Sequence, residues 1–185
     1  MQSGETQLVN EIQKGESAAA EVLVRLYGDR LLRSAYLLCG NETDAKDLVQ
    51  ETFIQAVRCS RQFRATSSVF TWLYGILLNV VRHYIRGRNR KKKLFTQRML
   101  LDKIPAAPEP GTVDSRWASA VLTYAIHQLP SRHREVIVLR FLEGMRLEEV
   151  AGQLGVTLGT AKSRIHYALR RLRKKLPVSL NLFEG

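Results

Sequence analysis

Three of the chain's five prolines, Pro105, Pro108 and Pro110, fall with Gly111 inside the stretch Leu100–Ser115, which holds few large apolar residues. Proline fixes φ and lacks an N–H, so neither a helix nor a sheet ladder runs comfortably through such a segment, and it reads as an extended, solvated connector. A chain of 185 residues has room for one ordinary domain or two small ones. The connector favours two, over 1–96 and 116–180, joined by a flexible linker over 97–115. Neither half shows sustained period-two alternation of β-branched residues, whereas apolar residues at helical spacing recur throughout, so the expected fold class is all-α with two small helical domains. No fixed-period repeat is visible, which disfavours a solenoid.

In the first half Asn41 is placed to cap a helix whose apolar positions Ala45, Leu48, Val49, Thr52, Phe53, Ala56 and Val57 follow the i, i+3, i+4, i+7 template. On its other face stand Asp47, Gln50, Glu51 and Ile54. An apolar Ile beside carboxylates fits either a protein contact or a solvated face with one stray apolar residue. A further helix is expected from about Val69 to Arg86, with Leu73, Ile76, Leu77, Val80 and Tyr84 inward. Before it lies a short loop, Phe63–Ser68. In the second half a helix over Trp117–Gln128 stops at Pro130, and Ser131 is expected to cap the next, which runs to Gly144. Leu147–Leu154, closed by Gly155, is followed by Thr157, which opens a long basic helix carrying Ala161, Ile165, Ala168, Leu172 and Leu176 as its apolar stripe. Helix, tight Gly-containing turn, helix is the helix-turn-helix arrangement.

The net charge of +12 comes from 29 Lys and Arg against 17 Asp and Glu. Eight bases and no acid lie between Arg82 and Arg98, and seven bases and no acid between Lys162 and Lys175. Without these fifteen, fourteen bases face seventeen acids, so the remainder of the chain is slightly negative. Two separate positive blocks suit a long polyanion touched in two places, although two solvated helix faces give the same pattern. The two cysteines, Cys39 and Cys59, form no CxxC and sit by no paired histidines, which disfavours a disulfide scaffold or a zinc finger and fits a reducing cytosol. The polar start and the arginines Arg25, Arg30 and Arg33 within Val22–Cys39 argue against a signal peptide or a membrane span, so a cytoplasmic protein is expected.

The helix opened by Thr157 presents Lys162, Ser163, Arg164, His166 and Tyr167 in its first half, residue types that read base edges in a major groove. Its later run Arg170–Lys175, with Arg171, is dense and repetitive and better suited to phosphates. In the first half of the chain Phe63, Phe70, Trp72 and Tyr74 lie near a basic run. Rings beside cations suit an unstacked single strand, and they equally suit a core.

Taken together these segments resemble a known family. Asp44-Ala-Lys-Asp-Leu-Val-Gln-Glu-Thr-Phe53, Thr71-Trp-Leu-Tyr74 with Asn79, Leu129-Pro-Ser-Arg-His-Arg-Glu-Val136, Leu139-Arg-Phe-Leu-Glu-Gly144 and Gly159-Thr-Ala-Lys-Ser-Arg-Ile165 look like a bacterial sigma factor of the extracytoplasmic-function (ECF) branch. The resemblance covers most of the chain, and the order of the segments across the connector makes it specific. It implies an N-terminal domain that opens the minus-ten element, a C-terminal domain that reads the minus-thirty-five element, and docking of both on core RNA polymerase. By this resemblance Asp47, Gln50, Glu51 and Ile54 form the polymerase-binding surface. Phe63, Arg64, Ser67, Ser68, Asn79, Arg86 and Arg88 serve the minus-ten DNA, with the Phe63–Ser68 loop as the pocket for a flipped base. Thr160, Lys162, Ser163, Arg164, His166, Tyr167 and Arg171 serve the minus-thirty-five DNA. Gly75 and Leu78 stand where relatives often carry Arg, and His83 where Asp is frequent. An anti-sigma factor, often membrane-associated, is the implied inhibitor.

No enzyme is expected, because His83, His127, His133 and His166 are scattered and no carboxylate cluster resembles a two-metal site. No catalytic residue, cofactor, metal or small-molecule substrate is expected either. A stand-alone helix-turn-helix regulator is the rival reading, since the second half alone would look much the same. The connector yields a direct test. Limited proteolysis of the full chain is expected to cut first within Leu100–Ser115, and earlier cutting within Asn41–Cys59 would overturn the division into domains.

Overall fold

Local cues set where each helix starts and stops. In this computed structural model residues 2–92 and 115–176 are described, and among them the secondary structure is helical with no strand. The chain divides into two compact units, Met1–Lys93 and Leu94–Gly185. The connector expected over 97–115 lies outside the described residues except Ser115, as do Lys93 and Arg98 of the first basic block and residues 177–180.

The first unit contains α1 (Gln2–Gln13), α2 (Ser17–Cys39), α3 (Glu42–Cys59), a 3-10 turn (Ser60–Gln62) and α4 (Val69–Lys92). Gly40 ends α2 at φ +81, where its N–H donates to the Tyr36 carbonyl; only glycine adopts that left-handed closure without a steric cost. Asn41 then caps α3, its side chain accepting the Asp44 N–H at 3.0 Å. Helices α1, α2, α3 and α4 pack around a core that includes Leu23, Leu31, Ala35, Ala45, Leu73, Tyr74, Leu77 and Val81. The α3 stripe is buried at Ala45, Leu48, Val49, Thr52 and Ala56. The Thr52 hydroxyl disposes of its polarity by donating to the Leu48 carbonyl at 2.7 Å. Val57 departs from the expected stripe and is 44% exposed, because Ala56 already fills the inward position at that turn. The helix expected to end near Arg86 runs on to Lys92.

The second unit contains α5 (Ser115–His127), α6 (Ser131–Ile137), a π-helical turn (Val138–Leu142), α7 (Leu147–Leu154) and α8 (Leu158–Arg173). Ser131 does not cap α6 as expected. Pro130 occupies the N-cap and makes no side-chain cap bond, and Ser131 is already helical. Nor is the segment to Gly144 one regular helix: Glu143 N–H bonds back to the Val138 carbonyl, five residues away. Val136, Ile137, Val138 and Leu139 are all buried, as befits a segment that packs on α5, α7 and α8. Arg134, part of the Leu129–Val136 motif, donates through Nη2 to the His127 carbonyl at 2.6 Å and the Leu129 carbonyl at 3.0 Å, satisfying the otherwise open C-terminal end of α5. Gly155 at φ +64 makes the tight turn between α7 and α8, and Thr157 caps α8 by accepting the Thr160 N–H at 3.2 Å.

One polar link ties α4 to the start of α3. The Tyr84 hydroxyl donates to Asp44, while Arg88 Nη1 reaches the Tyr84 oxygen at 3.3 Å and the Cys39 carbonyl at 3.5 Å. Burial, and then the bond to Asp44, pushes the Tyr84 hydroxyl from its ordinary 10.0 up to about 12. Because the folded value is raised, the stability this protonated hydroxyl contributes is complete below pH 10.0 and is lost as the pH climbs towards about 12. The difference in unfolding free energy between wild type and Tyr84→Phe is therefore expected to shrink across that interval. A difference that stayed constant in denaturation series through those pH values would show that folding does not raise the phenol.

Candidate functional site

Helix α3 turns two faces outward from its core stripe, and the acidic one is as the spacing predicts. Asp47, Gln50 and Ile54 are exposed and Glu51 is half-buried, four residues at i, i+3, i+4 and i+7 on one side of the helix. Glu51 is held by Gln55, whose Nε2 donates to it at 2.8 Å. Ile54, 38% exposed, is not a stray apolar residue. It lines a shallow apolar groove with Phe53, Val49 and Gln50 of α3 and with Val24, Gly28 and Leu32 of α2. The α2 contribution escaped the sequence reading, yet its signal was present: Val24, Gly28 and Leu32 recur at i+4 spacing as a second stripe beside the buried Leu23, Tyr27 and Leu31. Val24, 45% exposed, opens this stripe to the outside.

On α4 the residues expected to serve a single strand do not all come together. Asn79 and Arg86 are exposed and share a face with Trp72 and His83. Phe63 leans on that face from the preceding loop, its ring 5.1 Å from the Trp72 ring. Arg88 instead lies on the core side, engaged with Tyr84 and the Cys39 carbonyl. Leu78 is buried outright. Of the four aromatics, Phe70 and Tyr74 belong to the core, where Arg30 lies over the Phe70 ring at 3.6 Å.

The Phe63–Ser68 loop is built as a recess. Arg64, Thr66 and Ser67 are exposed, and Ala65 adopts φ +55, a left-handed conformation that costs a non-glycine residue roughly 1 kcal/mol. Ser68 turns inward to cap α4, accepting the Thr71 N–H at 3.1 Å with its hydroxyl 2.8 Å from that of Thr71. The recess is lined by residues 65–69 and, unforeseen from sequence, by Glu5 and Thr6 of α1.

Helix α8 segregates its chemistry by face. Ala161, Ala168 and Leu172 are buried, whereas Lys162, Ser163, His166 and Tyr167 are exposed on the opposite side. Tyr167 packs edge-on against His166 at 5.6 Å. Thr160 is occupied at the cap, its hydroxyl 2.9 Å from that of Thr157. Arg164 and Arg171 sit on the border facing α6. Burial, and then these two charges, Arg171 before Arg164, hold the His133 imidazole of α6 below its ordinary value. Among the described residues no helix is long and apolar enough to cross a membrane, and no group of three or more His, Cys, Asp or Glu could hold a metal ion.

Two family descriptions match this arrangement, Sigma-70 region 2 over residues 23–91 and Sigma-70, region 4 over residues 125–174. The RNA polymerase sigma-H factor of Pseudomonas aeruginosa is 30% identical over 95% of this chain and 95% of its own. The ECF RNA polymerase sigma factor SigW of Bacillus subtilis is 30% identical over 91% and 94%. The chain belongs to the ECF RNA polymerase sigma factors. Identity is higher, 39%, to the ECF sigma factor SigE of Mycolicibacterium smegmatis over 88% of this chain, which spans 64% of that relative's length. Among solved structures this sigma factor is similar to RpoE of Bartonella quintana in complex with the anti-sigma factor NepR, with 28% identity, a TM-score of 0.69 and coverage of 85% of this chain and 96% of that one. It is also similar to CnrH in complex with the cytosolic domain of CnrY, with 26% identity, a TM-score of 0.66 and coverage of 92% and 95%.

Proposed function

We propose that this ECF sigma factor works in the cytoplasm by docking on core RNA polymerase through Asp47, Gln50, Glu51 and Ile54, engaging the minus-ten element with residues 1–96 and reading the minus-thirty-five element with residues 116–180. The observation that carries the reading is the joint presence of sigma-70 regions 2 and 4 in one chain. A stand-alone helix-turn-helix regulator would need the second region and not the first. Phe63, Arg64, Ser67, Asn79 and Arg86 remain candidates for the opened strand, joined by Trp72. Ser68 and Arg88 act by shaping that surface, one as the α4 cap and the other as the clamp on Tyr84 and the end of α2. The relatives solved with NepR and with the cytosolic domain of CnrY support an anti-sigma factor as inhibitor of this chain, and the apolar groove between α2 and α3 is the surface such an inhibitor would cover.

Run-off transcription with purified core polymerase, with and without the protein, tests the central claim; no promoter-dependent product with active core would refute it. Glu51→Lys is expected to weaken the complex with core by about tenfold through charge reversal at a docking face while far-UV circular dichroism stays the same. Equal core affinity for variant and wild type would remove Glu51 from the docking surface.

Base readers and phosphate clamps on α8 fail differently. In holoenzyme, Lys162→Ala is expected to cost roughly 1 to 3 kcal/mol at the cognate minus-thirty-five sequence and to relax preference at one or two positions. Arg171→Ala is expected to weaken all sequences alike and to lower the salt slope by about one. A uniform loss from Lys162→Ala, with preference intact, would assign specificity to its neighbours or to DNA shape.

A further inference from the structure

The recess behind Ala65 is closed on one side by α1, and that wall is fixed. Val9 and Ile12 bury the inner stripe of α1, and Gln13 Nε2 donates to the Ser60 carbonyl at 2.9 Å, tying the helix to the turn that leads into the loop. Glu5 and Thr6, one turn up the helix, are half-exposed and line the recess with the Ala65–Val69 turn. The recess holds about 160 Å³. A cavity of roughly 150 Å³ accepts one benzene-sized ring, so a single six-membered ring fits and a fused purine does not sit wholly inside.

The lining chemistry narrows the choice between the two single-ring bases. An ionised carboxylate only accepts hydrogen bonds, and it has more lone pairs than one partner uses. The Tyr27 hydroxyl donates to Glu5, and burial followed by that bond pushes the phenol above its ordinary value. The bond orients the carboxylate and leaves acceptor capacity free. Cytosine presents an exocyclic amine where thymine presents O4. Against Glu5 the first is a donor meeting an acceptor, and the second sets two acceptors against each other, which discriminates by penalty as well as by attraction. The hydroxyls of Thr6, Thr66 and Ser67 can serve the remaining ring atoms as donor or acceptor.

We propose that Glu5 is a specificity-determining residue of this sigma factor, accepting a hydrogen bond from the exocyclic amine of a cytosine extruded into the recess between α1 and the Ala65–Val69 turn. The inference rests on the assignment of the Phe63–Ser68 loop to the opened minus-ten strand. Its addition is that α1, outside the matched region 2 segment of residues 23–91, supplies the group that names the base.

The test is selection of a randomised single-stranded DNA pool by holoenzyme reconstituted from the full chain and core polymerase, followed by sequencing of the bound fraction. Wild type is expected to enrich cytosine at one position, and Glu5→Gln, which keeps an acceptor for Tyr27 but also offers donors, is expected to lower the cytosine-to-thymine ratio there by about tenfold. Thr6→Val serves as a second variant on the same wall should Glu5→Gln disturb α1, as judged by far-UV circular dichroism, and is expected to lower the ratio less. Ser67→Ala reports on the loop itself. If Ser67→Ala changed preference at one position while Glu5→Gln and Thr6→Val left it as in wild type, the role of Glu5 would be overturned and the loop assignment would stand. If no position showed a preference sensitive to Ser67→Ala or Glu5→Gln, the loop assignment and this inference would fall together.

Discussion

Helix α2 buries Ala19, Leu23, Tyr27, Leu31, Ala35 and Leu38 along one stripe, and what the first unit offers to partners follows from the faces this stripe leaves outside. Helices α1, α3 and α4 all pack on α2, so its inner face sets their spacing. Each buried Leu is worth roughly 1.5 to 3 kcal/mol relative to exposure, enough to hold these helices in one arrangement while loop residues vary. The second stripe, Val24, Gly28 and Leu32, emerges beside α3 and becomes the floor of the groove that Ile54 borders. Gly28 matters there because it keeps the floor low: a Cβ at that position would meet the Val24 side chain at 3.8 Å, ordinary contact, but would occupy the groove itself.

Charge is divided by the same geometry. On α8 the buried alanines Ala161 and Ala168 allow close approach of the helix to its neighbours, which leaves the whole opposite face for polar groups. Lys162, Ser163, His166 and Tyr167 occupy the exposed centre, and Arg164 and Arg171 the border by His133. A guanidinium at the border of the face suits a phosphate, while groups in the middle suit base edges. Arg88 shows the reverse outcome. It belongs to a basic run, yet its register places it on the core side of α4, 3.5 Å from the Cys39 carbonyl and 3.3 Å from the Tyr84 oxygen.

Legibility in the sequence followed from how local each cue is. The α3 cap by Asn41, the Leu147–Leu154 helix, its closure at Gly155 and the cap by Thr157 were readable because each depends on a few adjacent residues. Ser131 misled because Pro130 before it can fill the N-cap position itself, and the π-helical turn had no local mark, since it answers to burial of Val136 to Leu139 from several sides. Val57 was misplaced by a small error in phase, about one residue in a period of 3.6. The acidic face of α3 was legible as a pattern but ambiguous as chemistry. Only the partner stripe on α2 turns Ile54 from an exception into a groove wall, and no spacing within α3 reveals it. Glu5 and Thr6 were invisible for the strongest reason: they meet the loop across some sixty residues of chain, a juxtaposition that only the packing of α1 creates.

Ala65 at φ +55 carries a cost that a glycine would avoid, and the loop that holds it is anchored on both sides. With Ser68 anchoring the loop to α4 and Gln13 anchoring α1 to Ser60, the two walls of the recess are set by separate hydrogen bonds. A recess built this way is formed before any ligand arrives, so ordering the loop adds little to the cost of binding. In the proposed role the binding free energy would go into extracting a base from its stack, which costs a few kcal/mol, and the recess would distinguish bases only with the surplus. This places a premium on a charged acceptor over a neutral one at the wall, because charge-assisted hydrogen bonds are roughly twice as strong as neutral ones.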